Sequence, residues 1–216
     1  MKYLLVFLFL VPYAHAWDYE GHKLIVNYVY YSTDMHLKNF NLTRMEEGAI
    51  APDKVFRDQR KHHYPYTLEL TKKWISNSSD PSYNFGVATH YISDSFASPH
   101  YIKNEKYSHH ILFERQARSI YIECRDYNLL IEEELPKTPK YSNYWNKWLK
   151  SKDKNIPNRA INDAAKLALS AAIKEFNLTC NRNSKVEKFN YLNNQIVMKI
   201  IILFSLSSLT LYLFNR

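Results

Sequence analysis

Glycine is nearly missing from this chain, with three among 216 residues, and proline contributes only eight. Asn-Gly and Asp-Gly dipeptides, the strongest short hairpin signals, do not occur. A fold built from many tight β-turns is therefore excluded, and the long amphipathic stretches predict a mostly α-helical chain. Cysteine is equally scarce. Cys124 and Cys180 are too few for a disulfide framework or a thiolate zinc site. They can form a single bridge or remain two buried thiols. The 18 tyrosines and 11 phenylalanines imply a well-filled core, but they are scattered too evenly to form a stacking platform for bases.

Charge leans one way. The formal net charge of +8 suits a nucleic acid, an acidic membrane surface or an anionic substrate. Any single Lys/Arg cluster can equally be a solvated face.

Residues 1–16 have the pattern of a secretory signal: Lys2, an apolar run over 4–11, and Ala14-His15-Ala16 as a small-x-small cleavage site. Cleavage there would leave Trp17 as the first residue. Residues 17–180 hold the predicted helical domain, and 181–195 are polar and charged, as a tether would be. Residues 196–214 are apolar apart from Lys199 and a few hydroxyls, long enough for a transmembrane helix. Lys199 lies near one end and can snorkel. The resulting expectation is an exported, extracytoplasmic domain held by a single C-terminal anchor. Asn41-Leu-Thr43, Asn77-Ser-Ser79 and Asn177-Leu-Thr179 are possible glycosylation acceptors in such a setting.

One stretch organises the rest: His90-Tyr-Ile-Ser-Asp94-Ser-Phe-Ala-Ser-Pro99-His100. In a helix, His90 and Asp94 leave the same face, and Pro99 ends the helix so that His100 can turn back. Imidazole and carboxylate suit zinc, which takes nitrogen and oxygen ligands at about 2.0–2.2 Å. A second pair, His110 and Glu114, repeats the four-residue spacing. Upstream, His22 sits on a predicted helix over 17–32. Asp53 follows the apolar Gly48-Ala-Ile-Ala-Pro run, and His62-His63 closes a basic stretch over 54–61. Further helices are predicted over 67–76, 145–150 and 158–176, with a Pro/Lys-rich connector over 136–144.

In this order the motifs resemble the zinc-dependent phospholipase C family, relatives of the S1/P1 nucleases. The residues that carry the resemblance are Trp17 directly after a cleavage site, His22-Lys-Leu-Ile-Val-Asn27, Ala51-Pro-Asp53, His90-Tyr-Ile-Ser-Asp94 with Pro99-His100, and His110-x3-Glu114. The resemblance implies a helical domain with three zinc ions in a cleft. Asp53, His63, His90 and Asp94 would hold one ion. His100, His110 and Glu114 would hold a second, and the Trp17 amine and carbonyl, His22 and Asp94 the third. His63 is preferred over His62 and His110 over His109, because His110 has the four-residue relation to Glu114. Asp53 would also orient or deprotonate the attacking water. Glu20 matches a family carboxylate beside the substrate headgroup, and Lys54 and Arg60 would flank that pocket. The implied activity is phosphodiester hydrolysis of a phospholipid. The alternatives are a nuclease or nucleotidase on the same scaffold, where nucleic acid would be the partner, and a non-catalytic surface protein that uses zinc only for folding. Nothing in the sequence points to an oligomeric state.

Overall fold

The structure, a computed structural model, describes residues 17–181 and 189–190. The expected signal (1–16), most of the tether and the expected membrane span (196–214) lie outside the described residues. Among the described residues no helix is long and apolar enough to cross a membrane.

The chain is mostly helical, as its lack of turn residues predicts. In order come α1 (Trp17–Ser32), α2 (Leu42–Ala51), α3 (Tyr66–Ile75), α4 (Pro81–Phe96), α5 (Tyr107–Gln116), the single turn α6 (Ile131–Glu134), α7 (Asn143–Ser151) and α8 (Asn155–Phe176). The Pro/Lys-rich connector is a 3-10 stretch, Leu135–Ser142. The only described strands are β1 (Ser119–Ile120) and β2 (Phe189–Asn190), two residues each and antiparallel, with Ser119 opposite Asn190.

Helix α4 is the axis of the domain. Asp80 caps its first turn by accepting from the Tyr83 amide at 3.1 Å, and Pro81 occupies a first-turn position where its missing N–H costs nothing. From Ser82 to Phe96 every side chain except Tyr83 is buried, because α2, α3 and α8 pack around it. The apolar side is met by the α8 stripe of Ile161, Ala165, Ala168 and Ala172, all fully buried. Phe176 closes that layer with its ring 5.7 Å from Phe85 and 4.9 Å from Phe40. The polar side of α4 carries the candidate site.

Two of the scarce glycines explain how closely α2 approaches α4. A Cβ on Gly48 would fall 2.0 Å from the Tyr83 carbonyl oxygen, and one on Gly86 would fall 2.1 Å from that of Met45. Only glycine lets these backbones touch. One helical turn beyond Gly86, His90 Nδ1 donates to the Ala49 carbonyl at 2.8 Å across the same crossing.

The ends of α1 and α8 are stapled together. A Cys124–Cys180 disulfide adds the segment after β1 to the end of α8. The Thr179 amide and hydroxyl both donate to the Asp34 carboxylate at 2.9 Å. Cys180 also bridges to Thr33 in a β-like pairing.

Candidate metal centre

Six elements deliver side chains to one place. Helix α1 brings His22, which is 2 % exposed. Helix α2 does not stop at Ala51 but loosens into a π-helical turn, Pro52–Phe56, closed by Arg57 in the left-handed region. Proline at its start cannot keep the regular helical bond, and such π turns recur at functional sites. This turn presents Asp53. A short 3-10 turn, Gln59–Lys61, then delivers His62. Helix α4 supplies His90 and Asp94. Beyond Phe96 the helix ends and a 3-10 turn, Ser98–Tyr101, swings His100 back over it, as the proline predicts. Helix α5 adds His110 and Glu114.

Asp94 is the hub. Its Oδ2 lies 2.8 Å from His62 Nδ1 and 3.0 Å from His90 Nε2. Its Oδ1 lies 3.4 Å from both His22 Nε2 and His100 Nε2. Each carboxylate oxygen therefore faces two imidazoles. Asp53 Oδ1 stands 3.6 Å from His62 Nδ1 and 3.9 Å from His90 Nε2. On the other flank, Glu114 Oε1 is 2.7 Å from His110 Nε2 and 3.5 Å from His100 Nε2. Three groups of donors are compact enough for an ion: His22 with Asp53 and His90, His62 with Asp94 and His100, and His100 with His110 and Glu114. The last is the set expected from the sequence. The other two interleave donors that the sequence assigned to separate ions, because Asp94 sits between them all.

The expected His63 is not among the compact donor groups, and His62 takes its place. His62 points inward and is 1 % exposed, whereas the His63 ring packs 5.6 Å from Tyr66 and 5.9 Å from Tyr101, away from the cluster. Consecutive side chains leaving a tight turn diverge, so only one can face the hub. The four-residue spacing could have selected it. Asp58-x3-His62 repeats the relation seen in His110-x3-Glu114, and Asp58 Oδ1 does accept from His62 Nε2 at 3.0 Å. His109 faces Trp148, with rings 6.4 Å apart, and His110 faces the cluster. Glu20 is half-buried on α1, and Lys54 and Arg60 are exposed on the two short turns either side of Arg57.

The imidazoles are oriented from behind. His22 Nδ1 bonds to Ser93 Oγ at 2.7 Å, His90 Nδ1 to the Ala49 carbonyl, His62 to Asp58, and His110 Nδ1 to Glu105 Oε1 at 2.7 Å. Tyr91 in turn donates to Asp58 at 2.7 Å. Outer partners of this kind fix the tautomer of a metal-binding histidine and turn its other nitrogen toward the ion. Ser93, Asp58, Tyr91 and Glu105 escaped the sequence reading.

Without metal the electrostatics are severe. Burial disfavours a charge on His22 and, with nearby His90, depresses it to about 3. Burial also opposes charge on His62, but its bonds to Asp58 and Asp94 outweigh that and raise it to about 9. Asp94 is likewise desolvated, yet His90, His100 and His22 hold it well below the usual carboxylate range. Burial pushes Asp53 up. His90 Nε2, His100 Nε2 and Asp94 Oδ1 are buried without a hydrogen bond among the described residues. Buried polar atoms seldom go unsatisfied, and these converge. Nitrogen and carboxylate donors in this density fit zinc.

A mostly helical domain with clustered imidazoles around one shared carboxylate has the donors to bind metal. The chain belongs to the zinc-dependent phospholipase C family, whose pattern it matches over residues 14–178. It is thus a zinc-dependent phosphodiester hydrolase of the phospholipase C type. No curated protein and no solved structure matches it.

Proposed function

We propose that the protein is a membrane-tethered, extracytoplasmic phospholipase C that uses three zinc ions. The observation that carries this reading is the Asp94 hub, with two imidazoles on each oxygen, in a chain of this family. His62, His90, Asp53 and Asp94 would hold one ion; His100, His110 and Glu114 would hold another. His22, Asp94 and the backbone amine and carbonyl of Trp17 would hold the third, which requires cleavage after Ala16. Bound zinc offsets phosphate charge and acidifies water.

Asp53 is the cluster carboxylate with most access to solvent, its side chain 24 % exposed against 2 % for Asp94 and 7 % for Glu114. Its raised affinity for protons suits a general base. It takes the proton of the attacking water as the water oxygen bonds to phosphorus. The bond from phosphorus to the glycerol oxygen breaks, that oxygen gains a proton, and diacylglycerol leaves with a phosphorylated headgroup as the other product. Lys54 and Arg60 favour anionic or polyol headgroups over choline, since cations repel a quaternary ammonium and Arg60 can grip a phosphate or carboxylate in two-pronged fashion. Glu20 holds an amine or hydroxyl of the headgroup. The apolar run at 196–214 supports the anchor, and the disulfide supports an oxidising compartment.

The test is product analysis with the zinc-loaded protein on soluble short-chain phospholipids. Diacylglycerol with a phosphorylated headgroup is expected, phosphatidylglycerol or phosphatidylserine being cleaved faster than phosphatidylcholine. Cleavage of single-stranded oligonucleotides with no diacylglycerol released would replace this reading by the nuclease one. Arg60→Ala with an unchanged headgroup profile would remove Arg60 from the pocket.

A further inference from the structure

A positively charged groove lies apart from the candidate metal centre. An open groove runs between the segment after α5 and the outer side of α8, lined by Arg115, Arg118, Arg125, Lys154, Arg159 and Lys166. Glu123 is the only carboxylate in its lining. Asp163 reaches Lys166 at 3.1 Å and Arg159 at 4.0 Å from beside it, which still leaves positive charge in excess. Arg118, Arg125, Lys154 and Arg159 are exposed. Tyr121, an amphipathic ring 47 % exposed, lines the same groove. The cluster and the groove share a helix, since Glu114 faces the metal centre and Arg115 the groove.

Topology places this groove at the exit of the chain. Strand β2 pairs with β1 so that Asn190 lies opposite Ser119, itself part of the groove wall. Five residues, six backbone steps, separate Asn190 from the start of the apolar run at 196. Fully extended they reach about 20 Å. If residues 196–214 cross a bilayer, this wall is held within a short tether of its surface. Anionic headgroups attract juxtamembrane cations, and tyrosine favours the interface between water and lipid.

We infer that the Arg115–Lys166 groove is a docking surface for the anionic headgroups of the membrane that holds the chain, so that the catalytic domain lies on the bilayer by this face. The inference rests on the proposed anchor for its geometry and on the cations for its chemistry. Removing each cation weakens docking roughly fivefold, so reversing three of them weakens it about a hundredfold or more.

The experiment uses the full chain in liposomes of phosphatidylcholine alone or with phosphatidic acid. Phosphatidic acid brings negative charge but no diester for the site to cleave. Hydrogen exchange is followed over residues 115–125 and 154–166, and an alkaline wash separates anchored from merely adsorbed protein. Slower exchange in both segments with phosphatidic acid, reversed by high salt and absent in the R118E/R125E/R159E variant, is the expected result. The salt titration on the unaltered chain decides the matter should the variant fail to fold. Protein that survives the wash yet exchanges identically in both liposomes overturns the docking surface and leaves the anchor standing. Protein that washes off, but shows the charge-dependent protection before washing, overturns the anchor and keeps the surface. Protection by a single-stranded oligonucleotide and none by phosphatidic acid overturns the inference in favour of a nucleic-acid partner.

Discussion

Gly86→Ala tests whether the α2–α4 crossing sets up the metal centre. In an ordinary helix this change would stabilise by about 0.5–1 kcal/mol through backbone entropy. Here the new Cβ would stand 2.1 Å from the Met45 carbonyl oxygen and 2.8 Å from the Ala49 amide nitrogen. Ordinary contact begins at 3.4 Å, so the helices must part by 1.3 Å. Both obstructing atoms are backbone, and neither can swing aside. Overpacking of this kind costs about 1–3 kcal/mol. The same parting would stretch the 2.8 Å bond from His90 Nδ1 to the Ala49 carbonyl to about 4 Å, beyond hydrogen-bond range. Losing that buried bond costs about 1–3 kcal/mol more. The propensity gain is outweighed, and the net loss is about 3 kcal/mol. At about 2–4 °C per kcal/mol for a chain of this size, the metal-free protein should melt roughly 6–12 °C lower. Without its carbonyl partner His90 loses its orientation, and zinc affinity should fall about 10–100-fold. Circular dichroism melts and a competition titration against a chromogenic chelator read the two effects separately. A variant that melts higher, with zinc affinity unchanged, would refute the close-approach argument.

His62→Ala should remove about one equivalent of zinc by elemental analysis while His63→Ala leaves the content intact; the reverse result would return His63 to the cluster. Asp58→Asn keeps the shape but removes the charge behind His62, and should weaken zinc binding about 10–100-fold, read by the same chelator competition. Zinc loading at neutral pH should release protons, because His62, held at about 9 without metal, is protonated there and must give up its proton to bind; calorimetric heats identical in buffers of different ionisation enthalpy would contradict this. Replacing both Cys124 and Cys180 by serine opens a loop closed over 56 residues and should cost about 4 kcal/mol on the chain-entropy account, measured by denaturant unfolding; a loss below about 1 kcal/mol would contradict that account.

What could be read from residues alone was whatever helical periodicity decides. His90 with Asp94 and His110 with Glu114 lie one turn apart on their helices, and the backbone geometry of a helix puts them on one face whatever surrounds it. Pro99 ends α4 for an equally local reason, and the packing stripe of α8 follows from its spacing. The choice between His62 and His63 was not of this kind. It depends on which way a short turn faces relative to α4, and only its packing settles that. Nor could spacing show that Asp94 would be shared among four imidazoles, since those reach it from α1, α4 and two loops, His22 from 72 residues away in sequence (94 − 22). The scarcity of glycine excluded hairpins at a glance, yet the purpose of Gly48 and Gly86 appears only where two backbones meet. The disulfide is the plainest case. Two cysteines in a sequence are compatible with a bridge or with free thiols, and only the packing of the segment after β1 against the end of α8 brings Cys124 beside Cys180.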